Sequence, residues 1–165
     1  MIWLARYRVF LGFLSAAVAL LLAQPSSLSW AVGALVALVG EFTRIWASGH
    51  IEKGREITTS GPYRFVRHPL YLGSTLLGVG FVVASRSVPV AALCALYLGV
   101  TLAAAVRTEE ATLDARFDGA YSAYREGRIE TAPRQFSWRR VWSNREYRAM
   151  SGFLAAFLFL AARVG

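Results

Sequence analysis

The chain has 165 residues and a mass of 18.1 kDa, about one domain's worth of protein. With 56% hydrophobic and only 17% charged residues and a mean hydropathy of +0.43, it is not an ordinary soluble domain. The formal net charge is +8, but the basic residues lie between long apolar runs, which excludes a soluble nucleic-acid binder and points to a membrane protein with basic loops.

Apolar stretches at 9–23, 28–47, 69–84, 88–106 and 152–164 predict a single all-α, polytopic domain over 1–165 with about five membrane spans. Several fall short of the ~20 residues that cross the hydrocarbon at 1.5 Å per residue. Trp3, Tyr7, Trp46 and Tyr71 can extend them into the interface, and Arg163 can snorkel. The first stretch lacks a small-residue cleavage site, so it reads as a mature helix rather than a signal peptide. Glu41 and Arg44 interrupt the second stretch late. The uncharged turn Gln24-Pro25-Ser26-Ser27 and the short turn Ser85-Arg86-Ser87 predict two hairpins, span one with two and three with four. Arg6 and Arg8, then Lys53, Arg55, Arg64 and Arg67, then a dense basic series from Arg107 to Arg148 place the N-terminus and both longer connections in the cytoplasm. The C-terminus falls outside. An arginine-rich, lysine-poor chain of this size fits a prokaryotic plasma membrane.

Between Arg134 and Met150, Phe136, Trp138, Trp142 and Tyr147 mix with Arg139, Arg140, Arg145 and Arg148. Aromatics at headgroup depth with arginines on phosphates describe an interfacial helix, and a solvated linker is the alternative. The lone Cys94 gives no disulfide framework. Neither it nor the separated His50 and His68 forms a metal set, so no metal is expected.

The chemistry concentrates on the two longer connections. In the first, Gly61-Pro62 marks a turn and Pro69 suits a first helical position, where its missing N–H would be unpaired anyway. Arg67 and His68 are thereby held at the positive start of span three, which favours an anionic group. The same Arg-His-Pro also serves as an interfacial anchor. In the second, Glu109 and Glu110 sit where the helix dipole is already negative. Either a cationic or hydroxyl-rich ligand meets them, or Arg107 or Arg116 neutralises them at the surface.

Taken together, Gly-Pro-Tyr with Arg-His-Pro-x-Tyr-x-Gly (residues 61–73) and Glu109-Glu110 with Phe117, Tyr121 and Tyr124 resemble the isoprenylcysteine carboxyl methyltransferase family, and more loosely the related phospholipid N-methyltransferases. The resemblance covers roughly 54–133 and includes Gly78-Val79-Gly80. It implies an integral membrane enzyme with a cytoplasmic pocket for S-adenosyl-L-methionine and a lipidic or amphiphilic methyl acceptor. It assigns Tyr63, His68, Pro69, Leu70, Tyr71 and Glu110 to the cofactor, with Arg55, Glu56, Ile57 and Thr58 along the stretch that gives backbone contacts. Arg107 falls where the family directs an arginine at a substrate carboxylate, with Glu109 beside it. Many members carry an arginine before the final proline, where this chain has Glu130 ahead of Pro133 and Arg128 or Arg134 nearby.

The implied reaction is methyl transfer, first to a carboxylate, which is ionised at neutral pH and needs no base. A phospholipid or small amine is the alternative, and there Glu109 or Glu110 becomes the candidate base. Two other readings compete: a nicotinamide-dependent membrane reductase resembling the sterol reductases, which share Arg-His-Pro-x-Tyr, and a non-enzymatic membrane module.

Overall fold

A computed structural model describes residues 2–52, 56–117, 123, 124, 126, 128 and 134–165, with 2–11 described as helical backbone only. Among the described residues the chain is helical throughout: α1 (Ile2–Leu22), α2 (Ser27–Ser48), a 3₁₀ turn (Gly61–Arg64), α3 (Pro69–Ser85), α4 (Val88–Arg116), α5 (Trp138–Ser143) and α6 (Tyr147–Ala161). Two of these, α2 and α4, are long and apolar enough to cross a membrane, while Gly12–Leu22, α3 and α6 are apolar but shorter. The stretches read as spans one, three, four and five are all helices, but the count of about five crossings rests on composition alone. Their edges differ: α1 begins at Ile2, well before the apolar run, and α6 begins at Tyr147.

Local signals start the helices. Ser26 Oγ accepts from the Ser29 N–H at 3.3 Å while Ser29 Oγ accepts from the Ser26 N–H at 2.9 Å, a reciprocal cap that opens α2. Pro69 opens α3 and Pro89 lies in the first turn of α4.

Short turns join α1 to α2 and α3 to α4, but among the described residues α1 packs on α4 and α6 rather than on α2, and the most extensive packing is between α2 and α3, across the long basic connection. Small residues explain it. A Cβ on Gly80 would lie 2.5 Å from Gly33 O and 2.6 Å from Ala37 N, and a Cβ on Gly40 would lie 2.7 Å from Gly73 O. Backbone meets backbone along an antiparallel seam, which dispersion and close approach can hold together without a hydrophobic drive.

Helix α6 closes the bundle. Trp30 Nε1 donates to Phe157 O at 2.9 Å, and Phe157 and Leu160 are buried against Ala23, Ala37 and Ala84. At its far end Arg163 donates to Leu20 O and Leu21 O. Most other large apolar side chains face outward, among them Phe13, Leu35, Phe42, Leu96 and Leu158. So much exposed apolar surface suits acyl chains rather than water.

The segment expected to lie in the interface has no regular structure over 134–137 before the short α5, and it straps the end of α2. Carbonyls at a helix C-terminus lack intrahelical donors, and here other donors reach them. The Ser137 N–H donates to Gly49 O at 3.1 Å, Arg140 Nε to the same oxygen at 2.7 Å, and Asn144 Nδ2 to Ser48 O at 2.9 Å and Ile51 O at 3.1 Å. Arginines at a negative helix end are favourable for the same reason. Trp138 and Trp142 remain exposed, as an interfacial position requires.

Candidate active site

The antiparallel order brings the end of α2, the start of α3 and the polar end of α4 together. His68 is the N-cap residue of α3, and Pro69 behind it is buried. His68 Nε2 lies 3.0 Å from Glu110 Oε1, and as the N–H tautomer or the imidazolium it donates to that oxygen. Tyr71 Oη donates to Glu109 Oε2 at 2.6 Å, and the Tyr71 ring stacks on His68 with centroids 5.5 Å apart. His68 Nδ1 is 4.0 Å from Glu109 Oε2, so both glutamates face one imidazole. These contacts join the two motifs directly. Arg67 reaches only to 4.0 Å from Glu110 and is half exposed, which leaves a weak, water-screened attraction.

Gly61 takes a left-handed φ of 59°, and a Cβ there would lie 2.6 Å from His50 Cγ, so both the turn and the close approach require glycine. The turn buries Tyr63, whose carbonyl accepts from Tyr124 Oη at 2.6 Å. Burial, then the nearby Glu109 charge, push the Tyr63 hydroxyl well above the ordinary tyrosine value. Burial also raises Tyr124, partly offset by Arg67. Among the described residues the hydroxyls of Tyr63, Thr58 and Ser60 are buried with no hydrogen-bond partner.

Of the residues expected at the site, Tyr63, His68, Pro69, Tyr71, Glu109 and Glu110 gather on one end of the bundle. Leu70 contributes its carbonyl, which accepts from Arg44 Nη1 at 3.3 Å. Ile57 is half-buried, and Glu56 turns toward the strap, where Arg134 Nη2 is 2.6 Å from its carboxylate. Arg134, which flanks the final proline, is engaged in this contact, and Arg128 pairs with Glu126. Arg55, Tyr121, Glu130 and Pro133 lie outside the described residues.

Arg107 is exposed and lines an open groove with Thr108, Ala111, Thr112, Ala115 and Arg116, about one helical turn before Glu110. Sequence reading noted Glu41 and Arg44 without giving them a role and missed Glu146. Arg44 Nη2 is 2.6 Å from Glu146 Oε1 in a buried cluster behind the first turn of α3. A charge pair in a run of apolar residues was the signal for it.

Among the described residues, fold and site define a helical chain with an apolar exterior and a polar cluster at one end of the bundle. The chain belongs to the phospholipid methyltransferase family, whose model matches residues 7–119. That match bears out the resemblance read from the two motifs at the level of the family. The chain is also 34% identical over 88 residues to the nickel-cobalt-cadmium resistance protein NccN of Alcaligenes xylosoxydans xylosoxydans, covering 52% of this chain and 40% of that protein. It is 35% identical over 88 residues to the cobalt-zinc-cadmium resistance protein CzcN of Cupriavidus metallidurans, covering 52% and 39%. The match thus spans about two-fifths of the length of these relatives. No solved structure matches the chain.

Proposed function

We propose that the chain transfers a methyl group from S-adenosyl-L-methionine to an amine on a lipid-like acceptor at the cytoplasmic face of the membrane. The observation that carries this reading is the joining of the two motifs, His68 to Glu110 and Tyr71 to Glu109. The residues present fit the cofactor. Buried hydroxyls without partners at Thr58, Ser60 and Tyr63 suit a ligand rich in hydroxyl, amino and carboxylate groups, and two carboxylates suit its positive charge. Tyr63, His68, Tyr71 and Glu110 would hold it, with Leu70 in the supporting turn. When bound, it supplies an electrophilic methyl group on a sulfonium.

The acceptor follows from charge. A carboxylate needs a cation to orient it, and Arg107 is exposed in an open groove of α4 rather than set in the turn that carries His68 and Tyr71. An amine needs negative charge nearby and a group to take its proton before attack. Glu109 offers both, since Tyr71 occupies Oε2 and leaves the carboxylate half exposed. The proton lost by the ammonium would pass to this carboxylate, while His68 fixes Glu110 in place. Carboxylate methylation, with Arg107 swinging toward the acceptor, is the second reading. The metal resistance in the relatives' names would reach this chain as a setting for membrane modification, since among the described residues no group of three or more His, Cys, Asp or Glu is placed to hold an ion.

The test is calorimetric binding of S-adenosylmethionine and S-adenosylhomocysteine to the full chain in lipid nanodiscs, followed by transfer of labelled methyl into membrane lipid. Saturable binding weakened by Glu110→Gln and His68→Ala supports the cofactor site. No binding to folded wild-type chain overturns it. Label that survives mild alkali marks N-methylation, whereas label released as methanol marks an ester and replaces the amine with a carboxylate.

A further inference from the structure

We propose that Arg44 is a positioning residue that sets the geometry of His68 and Tyr71 by holding the peptide between them. This rests on the site described above but concerns side chains in α2 and the strap, outside both motifs. Arg44 is largely buried and grips three partners at once. Its Nη1 donates to Leu70 O at 3.3 Å and to Ser74 Oγ, and its Nη2 meets Glu146 Oε1 at 2.6 Å. Ser74 Oγ in turn donates to Leu70 O at 2.9 Å.

Leu70 sits between the two side chains that touch the glutamates. Its carbonyl belongs to the first turn of α3, where His68 O accepts from the N–H groups of Tyr71 and Leu72 at 3.1 and 3.0 Å. A guanidinium fixed to Leu70 O and Ser74 therefore fixes the rotation of that turn. This geometry also accounts for the glycine that ends Arg-His-Pro-x-Tyr-x-Gly. A Cβ on Gly73 would lie 2.5 Å from Arg44 Cγ, so glycine alone lets the arginine stem cross α3.

The anchor on the other side is Glu146, the residue before α6, at the end of the strap that caps α2. Two carboxylates share this one arginine. Glu41 lies one turn earlier on α2, 4% exposed, and neither of its oxygens has a hydrogen-bond partner among the described residues. Glu146 takes the ion pair at the end of the strap farthest from Phe136, whereas the docking of 137–144 on the end of α2 runs through Ser137, Arg140 and Asn144 instead. Lysine would keep the charge opposite Glu146 but lose the planar fork that donates to Leu70 O and Ser74 Oγ at once.

The chain has two histidines, and they report the two sides: His68 touches Glu110, and the His50 ring lies 6.0 Å from Phe136 of the strap. The experiment is imidazole NMR of the histidine-labelled full chain in nanodiscs, comparing wild type with Arg44→Lys and with the milder Ser74→Ala. Binding of S-adenosylhomocysteine is measured on the same samples. The expected result is that the His68 resonances move in both variants while those of His50 stay in place. Binding weakens about ten-fold in Arg44→Lys and less in Ser74→Ala, because displaced groups no longer meet the ligand. His68 resonances that coincide with wild type in both variants, or binding unchanged in Arg44→Lys, overturn the proposal. If wild-type chain binds no S-adenosylhomocysteine, the methyltransferase reading fails, and the His68 resonances alone decide the role of Arg44.

Discussion

A buried hydroxyl without a partner lowers stability, and Tyr63 carries one at 8% exposure. The arrangement makes sense when a ligand completes it. Tyr63→Phe is therefore expected to leave the melting temperature of the ligand-free chain unchanged or raised, since an unsatisfied polar group leaves the interior. Binding of S-adenosylhomocysteine should weaken by roughly the ~1 kcal/mol of one hydrogen bond. Equal binding by the variant would remove Tyr63 from the cofactor site. The same residue gives a pH dependence whose sign is fixed. Its folded-state pKa is raised above the ordinary tyrosine value near 10, as burial dictates, and Tyr124 is raised too. Their contribution is full below about pH 10 and is lost as pH rises through the folded-state values, because only the unfolded chain ionises readily there. Denaturation from pH 9 to about 11.5 should show stability falling with pH, and Tyr63→Phe should flatten that slope. His68, Tyr71, Glu109 and Glu110 were legible in the sequence because each belongs to a motif with a recognisable register. Arg107 was legible as a residue but not as a partner: it lies one turn from Glu110 on the same helix, and spacing alone does not say what its side chain meets.

Among the elements, the α2–α3 seam has the strongest dependence on residue size. Gly80→Ala would push a methyl against Gly33 O and Ala37 N, both backbone atoms that cannot rotate away. The helices must part, at about 1–3 kcal/mol for overpacking. Gly99→Ala is the matched control, with nothing within 4 Å of the added carbon, and helix propensity alone predicts a gain of up to about 1 kcal/mol. Melting temperatures of the two variants in one detergent should move in opposite directions. A common loss in both would mean that close approach is not what sets the cost. The seam also marks where the sequence was only partly informative. Gly73 and Gly80 permit helix contact, but pairing neighbours in the chain through their short turns passes over α2 with α3. Short turns fix which ends are close, whereas small residues fix which faces meet. The strap was hidden for a related reason. Ser137, Arg140 and Asn144 act by reaching carbonyls ninety residues upstream, and a composition of aromatics and arginines describes a depth in the membrane without naming a partner.

At the scale of the whole molecule, the length of α4 places the site. Its 29 residues rise about 43 Å at 1.5 Å each, against a hydrocarbon thickness of ~30 Å. With 88–106 in the hydrocarbon, Glu109 and Glu110 would stand just beyond it, within reach of the proposed polar cofactor from water and of a lipid headgroup from the side. On the topology proposed above, the basic connections lie on the cytoplasmic side. The lone cysteine allows a direct test, because Cys94→Ala alone gives a cysteine-free background. Thr112 and Leu96 are both exposed on α4, Leu96 at 68%, but at different depths. In that background, Thr112→Cys should react with a membrane-impermeant maleimide in inside-out vesicles and stay protected in right-side-out ones. Leu96→Cys should resist the reagent in both and react only after denaturation, since its exposed side chain would face acyl chains rather than water. Rapid labelling of Leu96→Cys in intact vesicles would remove α4 from the bilayer. Labelling of Thr112→Cys in right-side-out vesicles alone would invert the topology and put the glutamate pair on the face where no cytoplasmic cofactor can reach it.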